Sequence, residues 1–198
     1  MANSNPTITR CVIGEARVNY PKVFEPESFN GSAPVYNVTL SFPKENTALL
    51  NKIEAAIEEC KAKFAAQNGG RIPKNFVLPL IKDGDTDYES DGYAGLYTIK
   101  LKSKFKPELV KKVKVMGKTQ LAPITDEDEF YAGCYCYAAV DFFAYSSDVA
   151  KGISAGLSSL LKTRDGERFV SSAKGDAADT FADVLGDIDD IDDDDYVE

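Results

Sequence analysis

A mainly β chain carrying a single helix is what the 198 residues predict, and three observations carry that prediction. Several segments alternate apolar and polar residues with the period of two that marks a half-buried strand. One segment, residues 46–67, instead repeats apolar residues every three or four positions. The stretches between are rich in Pro, Gly, Asp and Asn, which punctuate strands with loops and turns. The expected architecture is five to six antiparallel strands closed into a small barrel, with one substantial α-helix and an acidic, disordered C-terminal tail.

The elements follow in chain order. Residues 1–9 are polar and read as loose. Residues 10–24, RCVIGEARVNYPKVF, mix β-branched and aromatic residues and read as a strand ending near Pro21. Residues 35–42, VYNVTLSF, put Tyr36, Val38, Leu40 and Phe42 on one face and Asn37, Thr39 and Ser41 on the other. In the helix, Leu49, Leu50, Ile53, Ile57, Cys60 and Phe64 form an apolar stripe. Asn46 or Thr47 caps its start and Gly69-Gly70 ends it. Residues 71–95 read as one long loop. In LYTIKLKSKFK at 96–106, Tyr97, Ile99 and Leu101 turn inward while Thr98, Lys100, Lys102 and Lys104 turn outward. KVKVM at 112–116 repeats the device, with Lys112 and Lys114 outward, Val113 and Val115 inward, and Gly117 turning the chain. YAGCYCYAAVDFFAY at 131–145 is the longest strand expected. Cys134, Cys136, Ala138, Val140 and Phe142 form a small inner face suited to a tight barrel, and Tyr131, Tyr135, Tyr137 and Phe143 look outward. One more short strand is expected around residues 156–161. A closed antiparallel barrel with a helix against it fits this pattern; an OB fold is the commonest such arrangement for nucleic acid, and strands alone do not distinguish it from other small barrels.

Charge divides the chain in two. Residues 176–198 hold eleven acids and no Lys or Arg, which leaves residues 1–175 at +2 against −9 for the whole chain. Domain organisation is read accordingly, as a nucleic-acid-binding barrel over 1–175 and an acidic tail over 176–198. Between Lys100 and Lys118 eight lysines face one acid, Glu108. A basic patch and a detached acidic tail on one chain point to a polyanion as ligand.

Single-stranded nucleic acid is held by cations that track phosphates and by aromatic rings that stack on bases. Lys100, Lys102, Lys104, Lys112 and Lys114 supply the first, Tyr131, Tyr135, Tyr137 and Phe105 the second. Lys162, Arg164 and Arg168 extend the track. In the tail, Asp187, Asp189, Asp190, Asp192, Asp193, Asp194, Asp195 and Tyr196 form a run that repels itself, competes with nucleic acid for the patch and is offered to protein partners. Removing it is expected to tighten binding and to admit duplex DNA.

Other chemistries fit poorly. The chain has no histidine, which removes His-based nucleophile pairs and His-ligated zinc, so no enzyme is expected. Its four cysteines, Cys11, Cys60, Cys134 and Cys136, lack zinc spacing and read as buried thiols in a reducing compartment. The acidic loop Asp83, Asp85, Asp87, Glu89, Asp91 opens like a calcium loop but has Tyr88 where Gly is needed and Ala94 where Glu is needed. Asp126, Glu127, Asp128 and Glu129 are adjacent rather than convergent, which suits a polar turn better than a two-metal nuclease site. No cofactor and no metal are expected. No signal peptide or membrane span is recognisable, so a cytoplasmic location is expected. An alternative of another class is an acidic DNA mimic that sequesters a DNA-binding protein; the net charge favours it and the lysine stretch opposes it.

LPLIKDGD at 78–85, YAGLYTIKLKS at 93–103, FYAGCYCYAAVDFFAY at 130–145 and KGISAGLSSLLKTRDGE at 151–167 occur in that order. Together they resemble a family of phage-encoded single-stranded-DNA-binding proteins with an OB fold, over about residues 8–170. The resemblance implies a role without catalysis, coating single strands during phage DNA replication, recombination and repair. It also implies a flexible acidic C-terminus that recruits replication or recombination proteins. It is the guide to DNA rather than RNA.

Overall fold

A computed structural model describes residues 8–28, 31–89, 91–147 and 150–169. The chain divides into two compact units, Met1–Arg168 and Phe169–Glu198, and the fold is that of the first. Of residues 1–9, expected to be loose, Ile8 and Thr9 instead open the first strand; the expectations for residues 1–7, for the boundary at 175 and for the tail lie outside the described residues.

The strands are β1 (Ile8–Glu27), β2 (Val35–Pro43), β3 (Phe76–Val77), β4 (Ile81–Asp83), β5 (Leu96–Ser103), β6 (Glu108–Val115), β7 (Lys118–Pro123), β8 (Tyr135–Ser146) and β9 (Lys151–Arg164), with helix α1 at Thr47–Gln67. Pairing runs β4-β5-β2-β1-β8-β9-β6-β7, and a further β5–β9 pairing closes β1, β2, β5, β9 and β8 into a five-stranded barrel. The ring is antiparallel except at its closure, where β5 meets β9 in parallel at Lys102↔Gly156. It is an OB-type barrel, as the alternation predicted.

The interior is set by the strand period. Ile13, Val18, Val38, Leu40, Phe42, Ile99, Leu101, Val140, Phe142 and Leu160 are essentially closed to solvent. Cys136 and Ala138 on β8 keep the barrel narrow enough for those side chains to fill. Helix α1 begins where the Asn46 side chain accepts from the Leu49 amide at 3.2 Å. It ends before Gly69 and Gly70, both at positive φ. Its buried residues are Leu49, Ile53, Ala56, Ile57, Cys60 and Phe64, the expected stripe with Ala56 added and half-buried Leu50 left out. That face packs on β1 and β8, and the Cys60 thiol donates to the Phe142 carbonyl at 3.5 Å.

Four boundaries differ from expectation. β1 runs through Pro21 and Pro26 because its pairing with β2 slips between Asn19 and Lys22 and again before Glu27, which spares the prolines a ladder bond. The long loop 71–95 contains β3, β4 and a 3-10 turn at Asp91–Tyr93. β7, too polar to announce itself, pairs with β6 as a hairpin. The short strand expected near 156–161 is 14 residues long and is the one that closes the barrel.

Candidate nucleic-acid interface

The barrel closure builds the candidate site. Ile99 and Leu101 turn into the core, so Lys100 and Lys102 stand outside on β5. Thr98, expected beside them, is buried: β4 pairs alongside this part of β5, with Lys82 opposite Thr98, and the Tyr88 hydroxyl reaches the Thr98 hydroxyl at 2.8 Å. Register carries one row across the outer surface: Lys22 opposite Asn37, Asn37 opposite Lys102, Lys102 opposite Gly156, Gly156 opposite Asp141 and Asp141 opposite Arg10.

After Ser103 the chain leaves the sheet, and it re-enters at Glu108 to pair with the same strand, β9, in the same parallel sense. Residues 104–107 therefore stand out from one shared edge. The Ser103 hydroxyl accepts from the Phe105 amide at 3.1 Å and sets the turn, which leaves the Phe105 ring 83% exposed. Lys102, Lys104, Phe105 and Lys106 form one wall of a cleft of about 620 Å³. Ile8, Phe143, Ser154 and Gly156 lie across from them.

Gly156 shapes the cleft. A Cβ there would meet the Phe143 ring at 2.9 Å and the Asp141 carbonyl oxygen at 3.0 Å. Without one, the ring packs against β9. Among the described residues Asp141 is the only acid lining the cleft, and Arg10 holds it bidentately at 2.7 and 2.9 Å. Its charge is thus answered before any ligand arrives.

Cations on the surface fall into those with an ion pair and those without. Lys44, Lys61, Lys63, Lys111, Lys162, Arg10, Arg164 and Arg168 are all in ion pairs. Among the described residues Lys100, Lys102, Lys104, Lys106, Lys112, Lys114 and Lys118 make none; Lys106 rests only 6.0 Å from the centre of the Phe24 ring. Leu109 turns into the core beside Leu160, so alternation along β6 sends Lys112 and Lys114 to the same outer side as Lys100 and Lys102. Val113 and Val115, expected inward, run past the end of the barrel instead, and Val115 stays 44% exposed.

Tyr131, Tyr135, Lys162 and Arg164 form a separate cluster. The Arg164 guanidinium lies 3.3 Å from the Tyr135 ring centre and donates to Glu15 at 3.0 Å. Arg168 lies 4.1 Å and Lys162 5.1 Å from the Tyr131 ring centre. The Tyr131 hydroxyl donates to Asp165 at 2.9 Å. Hydrogen bonds from Thr163 and Arg164 pull the Glu15 carboxyl below its usual range, and those from Lys162 and Tyr131 do the same for Asp165. Tyr131 precedes β8 rather than lying on it. These rings carry cations from their own chain. Tyr137 is 39% exposed, beside Gly14, whose missing Cβ would meet its ring at 2.9 Å.

The acidic groups serve the fold. The Lys44 ammonium bridges Asp83 and Asp85, and Asp85 accepts from the Gly95 amide at 2.7 Å. Asp126 accepts from the Asp128 amide at 2.9 Å, Glu129 pairs with Lys111 and Asp128 with Arg168. The four thiols are buried, and burial raises the pKa of each.

Sequence reasoning reached Lys100, Lys102, Lys104 and Phe105 but missed Lys106, Phe143, Arg10 and Gly156 as parts of the same place. The available signal was a glycine inside an apolar strand, which marks a close approach.

Comparison with known proteins identifies the family and the fold. Residues 9–197 match the model of the family described as Enterobacter phage Enc34, ssDNA-binding protein. A putative protein p50 of Acyrthosiphon pisum secondary endosymbiont phage 1 is 30% identical over 167 residues, 79% of this chain and 84% of that one. The single-stranded DNA-binding protein of bacteriophage Enc34, solved in complex with ssDNA, superposes with a TM-score of 0.66 at 25% identity, over 82% of this chain and 90% of that one. The fold is also that of gp2.5, a single-stranded DNA-binding protein of bacteriophage T7 (TM-score 0.50, 16% identity, 84% and 98% coverage). The match over residues 9–197 places this chain in the Enterobacter phage Enc34 ssDNA-binding protein family.

Proposed function

We propose that this protein binds single-stranded DNA without sequence preference and coats it during phage DNA replication, recombination and repair, in the cytoplasm of a bacterial host and without catalysis. The observation that carries the reading is the run of lysines from Lys100 to Lys118 that, apart from Lys111, make no ion pair among the described residues and gather on one outer side of the barrel. Phosphates follow Lys100, Lys102, Lys104 and Lys106 along the cleft and continue to Lys112 and Lys114. Bases meet Phe105 and Phe143, and Tyr137 lies beyond them on the same β8 face. Tyr131, Tyr135, Lys162 and Arg164 flank this track, with their mutual pairing keeping β8 and β9 in register.

The tail over 176–198 acts as a tethered polyanion. It competes with DNA for the lysines and, once displaced, is available to replication or recombination proteins. The test is fluorescence anisotropy of a labelled oligothymidine. Phe105→Ala removes a stacking ring and should weaken binding by roughly 5- to 150-fold, the equivalent of about 1–3 kcal/mol per stacked base. A chain ending at Gly175 should bind more tightly than the full chain and gain affinity for duplex DNA. Equal affinity of the Phe105→Ala variant and the parent would remove the cleft from the reading.

A further inference from the structure

The β6–β7 hairpin leaves the barrel. Among the described residues β6 pairs with β9 only as far as Lys111, and β7 pairs with β6 alone. The pair Val115↔Lys118 closes a two-residue loop in which Met116 has φ 49° and Gly117 φ 77°. Positive φ at both central positions is the hairpin turn that Asn-Gly or Asp-Gly adopts readily. A methionine adopts it only against steric cost. Here that methionine is also 100% exposed, at the tip of a projecting finger. Two unfavourable features thus coincide on one side chain that is buried against none of the described residues.

The surroundings say what the tip meets. Between Glu108 and Asp126 there is no acid and there are four lysines. Lys112, Lys114 and Lys118 make no ion pair among the described residues, and Lys112 and Lys114 share the outer side of Lys100 and Lys102. An unbranched apolar side chain carried forward by phosphate-binding cations is the pattern of a wedge that enters between stacked bases. A protein partner that buried this tip would need carboxylates for the same lysines.

We propose that Met116 is a base wedge. With the strand laid along the β5 lysines, the hairpin reaches the junction where single strand becomes duplex. There Met116 inserts into the terminal base step while Lys114 and Lys118 hold the flanking phosphates. The chain would then open duplex ends actively as well as trap strands already open. This rests on the single-strand reading given above.

The full chain is tested on a forked duplex with 2-aminopurine at the junction, which brightens when unstacked, and in parallel on labelled oligothymidine. Met116→Asn creates the favoured Asn-Gly turn, so it should melt no lower than the parent; Met116→Gly also suits the turn, and Met116→Leu keeps an apolar tip. The Asn and Gly variants should bind oligothymidine within about twofold of the parent yet need roughly tenfold more protein to brighten the junction, while the Leu variant brightens it normally. Equal brightening by Met116→Asn and the parent overturns the wedge. A parent that binds oligothymidine without brightening the junction overturns the wedge alone, and one that binds neither probe overturns the single-strand reading as well.

Discussion

Neutralising Lys100, Lys102 and Lys104 together to glutamine should flatten the salt dependence of DNA binding by a calculable amount. Each phosphate neutralised on a single strand contributes a slope of roughly −0.7 in log K against log salt. Seven lysines between residues 100 and 118 make no ion pair among the described residues, so full engagement gives a slope near −5. Raising salt from about 50 to 200 mM would then weaken binding roughly 900-fold. With three cations removed the slope falls to about −3 and the same salt step costs roughly 50-fold. Glutamine is chosen so that charge is lost without adding repulsion. The assay is anisotropy of a labelled oligothymidine at several salt concentrations, on the full chain and on a chain ending at Gly175, because the tail's acids compete for the same lysines. An unchanged slope in the triple variant would refute the assignment of these lysines to phosphates, whatever happened to affinity at a single salt concentration.

Other consequences follow from the packing. Gly156→Val drives a side chain into the Phe143 ring and the Asp141 carbonyl, so it should weaken oligothymidine binding and, through overpacking of about 1–3 kcal/mol, lower the melting temperature by roughly 2–10 °C; a variant that binds and melts like the parent would contradict the cleft geometry. Phe142→Ala empties a fully buried site and should cost about 3–5 kcal/mol in urea unfolding; a loss under 1 kcal/mol would mean the ring is not in the core. Burial raises all four thiol pKa values, so the native protein should react slowly with a thiol reagent near pH 8 and release all four thiols on denaturation; prompt reaction of any one before unfolding would contradict its burial. Hydrogen bonds from Lys44 hold the Asp83 and Asp85 carboxyls below their usual range. A depressed pKa adds stability above the unfolded carboxylate range near 4 and loses it as pH falls through the folded value. Lys44→Met should therefore lower the urea midpoint at pH 7 and differ less from the parent near pH 3; an equal gap at both would show that the pair is not the cause.

Much of the barrel was legible because one-sided burial enforces alternation. Val38, Leu40, Phe42, Ile99, Leu101, Cys136, Ala138, Val140 and Phe142 all face inward as the period of two requires. The helix stripe was legible for the same reason at a different period. β7, with the residues KTQLAP, has no buried face to impose a pattern, so only its partner strand reveals it. Thr98 failed as a surface residue because β4 comes from a stretch whose Pro and Asp content reads as loop. Within the site, the lysines are a local signal that strand period places directly. Phe143, Gly156 and Arg10 join them only through long-range register, which a single sequence does not display. Ring occupancy was equally hidden: Tyr131 and Tyr135 look outward by pattern, but Arg168 and Arg164 reach them through the return of β9.

Photocrosslinking tests the central claim most directly, because it reports which rings touch bases. Oligothymidine carrying 5-iodouracil would be irradiated with the full-length protein, and the adducts located by mass spectrometry of the digested chain. The cleft account predicts crosslinks at Phe105 and Phe143, lost when Lys100, Lys102 and Lys104 are neutralised. Adducts confined to Tyr131 and Tyr135, with none on the cleft rings, would contradict it and move the strand to the opposite end of β8.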